Sequence, residues 1–466
     1  MLFSSSVFLL MFLPAVLFGY FFLLRGKRPL QNIFLLCASL FFYAWGEPAF
    51  VFVMMASIAA NYLLGLWMDR VRTRPHAKKI AAVCAAVLNL SLLFVFKYLG
   101  FVMRSLNSLT GFSLPVPEIA LPVGISFFTF QALSYVLDVG RGVAPVQKNP
   151  FWVGLYISFF PQLIAGPIVK YQTVAEEISC RKHSWADFSA GLCRFALGLM
   201  KKILLANSLA LVADRAFAAQ ALPFGLAWLG SLAYTFQIFF DFAGYSDMAI
   251  GLGQMFGFHF QENFRYPYIA RSVTDFWRRW HISLSQWFRD YVYIPLGGSR
   301  APLLLRYRNL FIVWLLTGIW HGANWTFILW GLYYFVLLAA EKAAGLHKNH
   351  LGIWRILPTF LVVNFGWVLF RADSISAAGR FLAAMFGLGP DGLWNETAAA
   401  LLRDYSVLFA AAVVFSAPAA KRLAACRCTQ GRAGALLWVA GLLAAVLAAF
   451  SFLAKGAYNP FIYFNF

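Results

Sequence analysis

The chain of 466 residues is 61% hydrophobic, 18% aromatic and only 12% charged. Soluble domains are about 45–50% apolar, so this composition excludes a water-soluble globule, and the aromatic content excludes a disordered chain. Lys and Arg number 38 against 18 Asp and Glu, which gives a net charge of +20. Because these basic residues lie between hydrophobic runs, we expect them to anchor cytoplasmic loops and not to bind nucleic acid.

Nine uncharged runs, each of at least 17 residues, predict membrane helices, because about 20 apolar residues cross the hydrocarbon core. The first run has no basic leading segment and no clear cleavage site, so we expect a retained span. Shorter apolar stretches at 203–213, 248–261, 356–370 and 405–420 raise the expected count to nine to twelve spans. The sequence therefore predicts an all-α polytopic membrane protein, with one membrane domain over residues 1–466. The nine runs are 1–24, 29–46, 48–68, 80–96, 119–137, 149–169, 216–240, 309–340 and 433–454.

The first basic loops predict the orientation of the chain. Arg25, Lys27 and Arg28 follow the first run, and five basic residues lie between positions 70 and 79, two crossings later. The intervening turn at 46–48 contains no Lys or Arg. The positive-inside rule therefore places the N-terminus outside and both basic loops in the cytoplasm.

Six cysteines lie in or beside apolar segments, with no Cys-x-x-Cys pair and no histidine at the spacing of a zinc site. We expect neither a disulfide framework nor a metal site. The six are Cys37, Cys84, Cys180, Cys193, Cys426 and Cys428.

Two groups of polar or helix-breaking residues lie in apolar surroundings. Pro161 and Pro167, with Gln162 between them, predict a kinked or broken helix whose freed carbonyls are satisfied inside the protein. Asp241 and Tyr245 are four residues apart, which places them on one helical face. We interpret this second pair as structural and not catalytic.

One segment, from Arg265 to Arg308, departs from the hydrophobic pattern, since it contains eight arginines and two aspartates. Its apolar residues recur at three- and four-residue spacing from Asp275 to Tyr291, which predicts an amphipathic helix. An interfacial helix anchored at the lipid headgroups explains this pattern without any catalytic role. The residues on its opposite face are Arg278, His281, Ser285 and Arg289.

A second histidine, His321, lies twelve residues inside the uncharged run 309–340. An ionisable side chain at that depth is costly and indicates a functional site, although a histidine hydrogen-bonded between helices is the structural alternative. The neighbouring small residues Gly318, Gly322 and Ala323 would let a backbone or a substrate approach closely. Trp320, Asn324 and Trp325 complete a semi-polar patch around it.

Two long blocks of the sequence resemble the membrane-bound O-acyltransferase superfamily: ENFRYPYIARSVTDFWRRWHISLSQWFRDYVYIPLGG and LTGIWHGANWTFILWG. The segments LPVGISFFTFQALSYVLDVGRG, FFPQLIAGPIVKY, FDFAGYSDMAIGLG, FGWVLFRA and NPFIYFNF are also similar to the bacterial branch. That branch contains alginate O-acetyltransferase and its peptidoglycan-acetylating relatives. The resemblance covers nearly the whole chain.

The resemblance implies a helical bundle with reentrant or interfacial helices around a tunnel. The histidine characteristic of the superfamily falls on His321, and its second marked position falls on His281, 40 residues earlier. Acetyl-CoA is the implied cytoplasmic donor, the acceptor lies on the outer side, and no permanently bound cofactor is implied. An extracytoplasmic SGNH-hydrolase-like acetyltransferase is the implied partner, and a bacterial cell membrane is the implied location.

Transfer of an acyl group from a thioester to a hydroxyl requires a base for the hydroxyl proton. A neutral imidazole with a pKa near 6.5 suits this task and contributes about 10²–10⁴-fold in rate. We expect His321 to be that base. His281 could orient or polarise the thioester carbonyl or tune His321, with Trp320 and Asn324 in support. Asp290 could hold a histidine or pair with its neighbour Arg289.

The arginines Arg278, Arg279 and Arg289 could bind the phosphates of the donor by charge-assisted hydrogen bonds, or could meet membrane lipid phosphates. The acceptor stays open among alginate, peptidoglycan, cellulose and other secreted glycans, with D-alanylation of teichoic acid as a more distant alternative. A transporter is the non-enzymatic alternative, but it would predict internal repeats and charged residues on several spans. The sequence shows no internal repeat, and its strongest polar signals converge on the segment 265–308 and on His321.

Overall fold

The computed structural model describes residues 1–346, 352–418, 431–456, 458–460 and 462. These residues form helices and no β-strand, which confirms the all-α prediction. The nine to twelve predicted spans exceed the eight described helices that are long and apolar enough to cross a membrane, because several uncharged runs form helices of at most 17 residues. His347, His350, Cys426 and Cys428 lie outside the described residues. Eight described helices are long and apolar enough to cross a membrane: Phe50–Val71, Pro75–Thr110, Trp185–Phe217, Leu303–His321, Trp325–Ala343, Ile353–Arg371, Glu396–Phe415 and Leu436–Ala454.

The chain divides into two compact units. Unit 1 contains Met1–Phe195 and Tyr245–Gln261, and unit 2 contains Ala196–Gly244 and Glu262–Phe466. A single membrane domain over residues 1–466 stays a prediction.

The α-helices that begin in unit 1 are mostly continuous, and three π-helical turns extend two of them, at Phe8–Phe12, Gly19–Leu23 and Phe94–Tyr98. Reciprocal amide hydrogen bonds between Asn61 and Asn89, at 3.2 and 2.8 Å, join the third and fourth helices in the apolar interior. The helices are α1 (Leu13–Phe18), α2 (Arg28–Ala44), α3 (Phe50–Val71), α4 (Pro75–Leu93), α5 (Leu99–Thr110), α6 (Ile125–Arg141), α7 (Pro150–Ser158), α8 (Phe160–Leu163), α9 (Tyr171–Cys180) and α10 (Trp185–Met200).

The predicted break in the proline-containing run is confirmed between α7 and α8. The backbone at Phe159 leaves the helical region, and Pro161 follows inside α8. The carbonyl of Tyr156, near the end of α7, accepts hydrogen bonds from the amides of Gln131 and Gln162 at 2.7 and 2.6 Å. Side-chain donors inside unit 1 therefore replace the lost helical bond at this depth, as an apolar medium requires.

The remaining α-helices carry the aromatic core of unit 2. A π-helical segment, Lys201–Ala206, joins α10 to the first of them, and another, Arg289–Tyr293, extends the fourth. The helices are α11 (Asn207–Phe217), α12 (Phe224–Met255), α13 (Val273–Arg279), α14 (Ile282–Phe288), α15 (Leu303–His321), α16 (Trp325–Ala343), α17 (Ile356–Arg371), α18 (Ile375–Met385), α19 (Glu396–Phe415) and α20 (Arg432–Ala454).

The prediction of a single span over residues 309–340 is wrong, because this run contains the turn between α15 and α16. Gly322 is extended, and the side chain of Asn324 caps α16 by accepting the amide hydrogen of Thr326 at 3.2 Å. The two helices then return against each other at unusually close range. A Cβ atom at Gly331 would lie 2.4 Å from the Trp314 carbonyl oxygen, so only glycine permits this approach.

The prediction of one continuous amphipathic helix from Asp275 to Tyr291 is also wrong. The structure breaks it at Trp280 and His281 into α13 and α14. The carboxylate of Glu341 at the end of α16 accepts the amides of Val273 and Thr274, at 2.6 and 2.9 Å, and so fixes the start of α13.

From that start α13 runs back along α16 towards its beginning. Trp277 contacts Trp330 with ring centroids 5.5 Å apart, and His281 contacts Trp320 at 6.1 Å. Glu341 and Trp330 are about 17 Å apart along α16 at 1.5 Å per residue. The segment therefore enters the helical core of unit 2 at one end of the α15–α16 hairpin and turns near the other end.

Candidate active site

His321 is the last residue of α15 and lies in an aromatic enclosure. His321 is only 5% exposed, although it ends its helix and the chain turns directly after it. The rings of Trp320, Trp330 and Phe370 surround its imidazole, with centroids at 4.9, 5.0 and 5.1 Å. Three different helices supply these contacts, so the enclosure depends on tertiary packing.

His281 occupies the break between α13 and α14 and is 1% exposed. The sequence placed it on the polar face of a continuous helix, and its burial corrects that expectation. Its backbone is left-handed, with φ of 44° and ψ of 56°, a conformation that residues with a side chain rarely adopt. Such strained positions concentrate at functional sites, where the surrounding structure enforces them.

Asn263 holds His281 and the first two residues of α14 in place. Its backbone carbonyl accepts the amide hydrogen of Ile282 at 3.0 Å. Its side-chain Oδ1 accepts the amide and the hydroxyl of Ser283, at 3.2 and 3.0 Å, and lies 3.2 Å from Nδ1 of His281. One asparagine therefore fixes the backbone and the side chain of His281 together.

These contacts also define the tautomer of His281. The amide of Ser283 must donate, so the Asn263 atom that it meets is the oxygen, and an oxygen acceptor requires a hydrogen on Nδ1 of His281. Burial lowers the pKa of His281 to about 3, which keeps the ring neutral near pH 7. The lone pair then resides on Nε2, so the nitrogen directed away from Asn263 is an acceptor.

Trp320 connects the two histidines. Its ring lies 6.1 Å from that of His281 and 4.9 Å from that of His321, measured between centroids. Trp320 itself is 4% exposed. The structure therefore brings together the two histidines and the tryptophan that the sequence singled out, in one buried region of unit 2.

The other predicted supporting residues have identifiable structural contacts. Asp290 accepts a hydrogen bond from its neighbour Arg289 at 2.7 Å, which is one of the two roles that the sequence left open. Asn324 caps α16 and donates to the carbonyl of Asp373 at 3.0 Å, so it fixes the turn that follows His321.

The three candidate donor-binding arginines lie on α13 and at the start of the π-helical segment after α14. Arg278 is exposed, and Arg279 forms an ion pair with Asp275 at 2.8 Å, one helical turn away. Arg289 is largely exposed and pairs with Asp290. Arg278 and Arg279 end α13 directly before the turn at His281, and Arg289 lies eight residues after that turn.

Sequence reasoning missed two residues of this site. Asn263 lies 18 positions before His281 in an ordinary polar stretch, where no spacing marks it. Phe242 packs edge-on against the imidazole of His281 at 4.6 Å, and one phenylalanine among 50 carries no signal. Both contacts join residues that are distant in sequence and meet only in the folded chain.

The buried polar pair predicted on α12 has two separate environments. Asp241 forms an ion pair with Lys202 at 2.7 Å, and both side chains are almost completely buried. The carboxylate also accepts the amide of Ile462 at 3.0 Å, and Lys202 donates to the carbonyl of Pro460. Tyr245, in unit 1, stacks on Phe3 at 4.5 Å. These contacts agree with the structural interpretation of both residues.

Comparison with known proteins places this site in a family. Residues 143–377, which include both histidines, match the family model described as MBOAT, membrane-bound O-acyltransferase family. The chain is 46% identical to a probable alginate O-acetylase of Pseudomonas syringae pv. tomato over 84% of this chain and 76% of that protein. It is 38% identical to a peptidoglycan O-acetyltransferase of Helicobacter pylori, over 83% of this chain and 80% of the relative.

A third relative is more distant. A teichoic acid D-alanyltransferase of Bacillus subtilis is 29% identical over 53% of this chain and 68% of its own length. Family match, relatives and apolar helices agree with one another. The chain is a multi-pass membrane protein that belongs to the membrane-bound O-acyltransferase family, and it is an O-acyltransferase.

Proposed function

We propose that this protein transfers acetyl groups from cytoplasmic acetyl-CoA across a bacterial cell membrane for O-acetylation of an alginate-like polysaccharide outside. The observation that carries the proposal is the burial of His281 and His321 close to the ring of Trp320, within the part of the chain that the family model matches. The names of the alginate-acetylating relatives support the acetyl group and the polymer. Peptidoglycan acetylation is the second candidate, because a relative at 38% identity bears that name.

In this proposal His321 is the general base. The acceptor hydroxyl attacks the thioester carbonyl while the imidazole of His321 takes the hydroxyl proton. The C–O bond forms, the C–S bond breaks, and the same proton passes to the departing CoA sulfur, so the imidazole returns to its neutral state. The aromatic enclosure excludes water from the imidazole, which favours acyl transfer over hydrolysis of the thioester.

His281 has a narrower set of roles than the sequence alone allowed. Polarising a thioester carbonyl requires an N–H donor, but Asn263 holds the hydrogen of His281 on Nδ1 and leaves the lone pair on Nε2. We therefore propose that Nε2 accepts a hydrogen bond that orients the acceptor hydroxyl or the imidazole of His321. Asn263 is the residue that positions it.

Charge determines which end of the donor stays at the membrane surface. Acetyl-CoA carries several phosphate charges, which cannot enter about 30 Å of hydrocarbon without a large cost. Arg278 and Arg279 end α13 just before His281, and Arg289 begins the π-helical segment that follows α14. We propose that they bind the phosphates while the acetyl thioester reaches inward, and that an extracytoplasmic SGNH-hydrolase-like acetyltransferase delivers the acetyl group to the polymer.

Reconstitution in sealed vesicles of known orientation tests the direction and the donor. With labelled acetyl-CoA supplied only on the Arg278 side, we expect label on alginate at the opposite side, and more of it when the partner is present. Label that appears only with acetyl-CoA on the other side would contradict the direction. Peptidoglycan or teichoic acid as the preferred acceptor in the same assay would replace alginate.

Replacement of His281 by alanine tests the positioning role. We expect acetylation to fall by about 10²-fold with activity remaining, because His321 would still act as base. Asn263→Ala should reproduce much of this loss, since it removes the side-chain oxygen that meets Nδ1 of His281 and accepts the amide and hydroxyl of Ser283. Initial rates of acetyl transfer measure both variants, and the matched control is His76→Ala, an exposed histidine. Full activity of His281→Ala would contradict the positioning role and would support a purely interfacial role for this segment.

A further inference from the structure

Unit 1 contains a cavity that the proposed acetyl transfer does not use. Its volume is about 480 Å³, and its walls combine basic residues with aromatic ones. The residues that carry the argument are Arg25, Arg28 and His183 on one side and Phe22, Trp185 and Phe188 on the other. No Asp or Glu is among the described residues that line it. We call it the Arg28 cavity.

Arg28 forms its hydrogen bonds only with neutral groups among the described residues. Its guanidinium donates to the side chains of Gln31, Tyr20 and His183 at 3.1, 3.2 and 3.0 Å. It also donates to the backbone carbonyl of Arg181. None of these partners carries a negative charge, so within the described residues the positive charge of Arg28 is not neutralised.

A second arginine, Arg181, lies behind the cavity, and the nearby carboxylate of Glu177 offsets part of its charge. Arg181 is 4% exposed, and it donates to the Tyr20 hydroxyl at 2.8 Å and to Asn32 at 2.6 Å. Burial lowers its pKa to about 10, so the guanidinium stays charged near pH 7. Burial and the two arginines lower the pKa of His183 to about 4, which makes His183 a neutral acceptor for Arg28. Two positive charges therefore share one tyrosine hydroxyl.

The backbone adds to the attraction for an anion. α2 begins at Arg28 and α10 begins at Trp185, and both starting residues line the cavity. The N-terminal end of a helix carries about half a positive charge, so two such ends converge here. The carboxylate of Asp187 accepts the hydroxyl of Ser184 at 2.6 Å, but Asp187 does not line the cavity.

The apolar walls extend to the surface of the protein. Trp185 and Phe22 are 80% and 73% exposed, so both rings continue from the cavity to the outside of unit 1. Exposed aromatic residues beside arginines are typical of the headgroup region of a membrane, where the ring meets acyl chains and the cation meets phosphate.

We infer that the Arg28 cavity binds an anionic phospholipid, with its phosphate at Arg25 and Arg28 and its acyl chains along Phe22 and Trp185. Inorganic phosphate and the phosphates of a nucleotide share the anionic group but have no acyl chain to place on the aromatic wall. The predicted cytoplasmic side of the Arg25–Arg28 loop agrees with the negative charge of that leaflet.

Native mass spectrometry of the full chain, released from detergent, tests this site by counting retained lipids. The probes are dioleoylphosphatidylglycerol and the zwitterionic dioleoylphosphatidylcholine with identical chains. We expect phosphatidylglycerol to be retained preferentially. Arg25→Gln should weaken that retention about tenfold, because a charge-assisted hydrogen bond to phosphate is lost. Arg25 has no side-chain partner among the described residues, so this variant should fold normally.

Two further variants separate a built site from a general attraction of basic loops for lipid. Arg28→Gln should lose retention at least as strongly as Arg25→Gln. Lys27→Gln removes the same charge from the same loop, but Lys27 is exposed and does not line the cavity, so its retention should stay close to that of the unaltered protein. An equal loss in all three variants would overturn the site, as would unchanged retention in both arginine variants.

Competition identifies the source of the phosphate. Inorganic phosphate and CoA, added in excess, should leave the bound phosphatidylglycerol in place. Displacement by CoA would overturn the lipid assignment in favour of a nucleotide site. Equal retention of phosphatidylcholine and phosphatidylglycerol would show that the aromatic wall alone binds the lipid, and would also overturn it.

Discussion

His321→Ala should abolish acetylation of the polymer while the protein still inserts in the membrane and keeps its fold. The expected loss is at least about 10²–10⁴-fold, the usual contribution of a general base. The imidazole is small compared with its enclosure of Trp320, Trp330 and Phe370, so the surrounding rings should keep much of their packing. Transfer of label from acetyl-CoA to the polymer measures the effect.

Two control variants distinguish the loss of the general base from a loss of packing. His321→Gln retains a polar side chain of similar size without a titratable nitrogen, so it should be as inactive as the alanine variant. Exposed His76, replaced by alanine, should leave the rate unchanged. Normal acetylation by His321→Gln would show that the residue packs and does not transfer protons.

Removing one partner of the buried ion pair between Lys202 and Asp241 should destabilise unit 2 strongly. Its two side chains are 2% and 3% exposed, and the atoms that pair are 2.7 Å apart. Asp241→Asn should lower the free energy of unfolding by about 3–5 kcal/mol, because it leaves a buried ammonium group without its counter-ion. Lys202→Met should cost a similar amount. The shift of the unfolding midpoint in detergent measures both variants.

The double variant distinguishes a buried pair from two unrelated polar residues. Lys202→Met combined with Asp241→Asn removes both charges, so it should recover much of the stability that each single change loses. The exposed pair Arg403 and Asp404, at 2.9 Å, is the matched control, and Asp404→Asn should change the midpoint little. Simple addition of the two single losses would contradict the assignment.

The sequence could single out the buried His321 because its signal is local. A histidine inside a long uncharged run is costly in an apolar medium, and that cost is visible without any knowledge of the fold. The helical class and the broken proline run were predictable for the same reason. Each depends on residues within about one helix of each other.

The surroundings of His281 could not be predicted, because they depend on distant residues. Periodicity favoured one continuous helix. The hydrogen bonds of Asn263 instead stabilise the break at His281, and those of Glu341 stabilise the start of α13. Those residues lie 18 positions before His281 and 60 positions after it. The burial of Lys202 has a similar origin, since its partner Asp241 is 39 positions away and adjacent residues give no sign of it.

The left-handed backbone at His281 affects how this enzyme would respond to engineering. A residue with a side chain costs about 1–2 kcal/mol in that conformation, whereas glycine adopts it freely. Glycine at this position would therefore relieve local strain and delete the imidazole in the same step. A library selected only for heat tolerance would enrich inactive sequences here, so directed evolution of a sturdier enzyme needs a selection that also reports acetyl transfer.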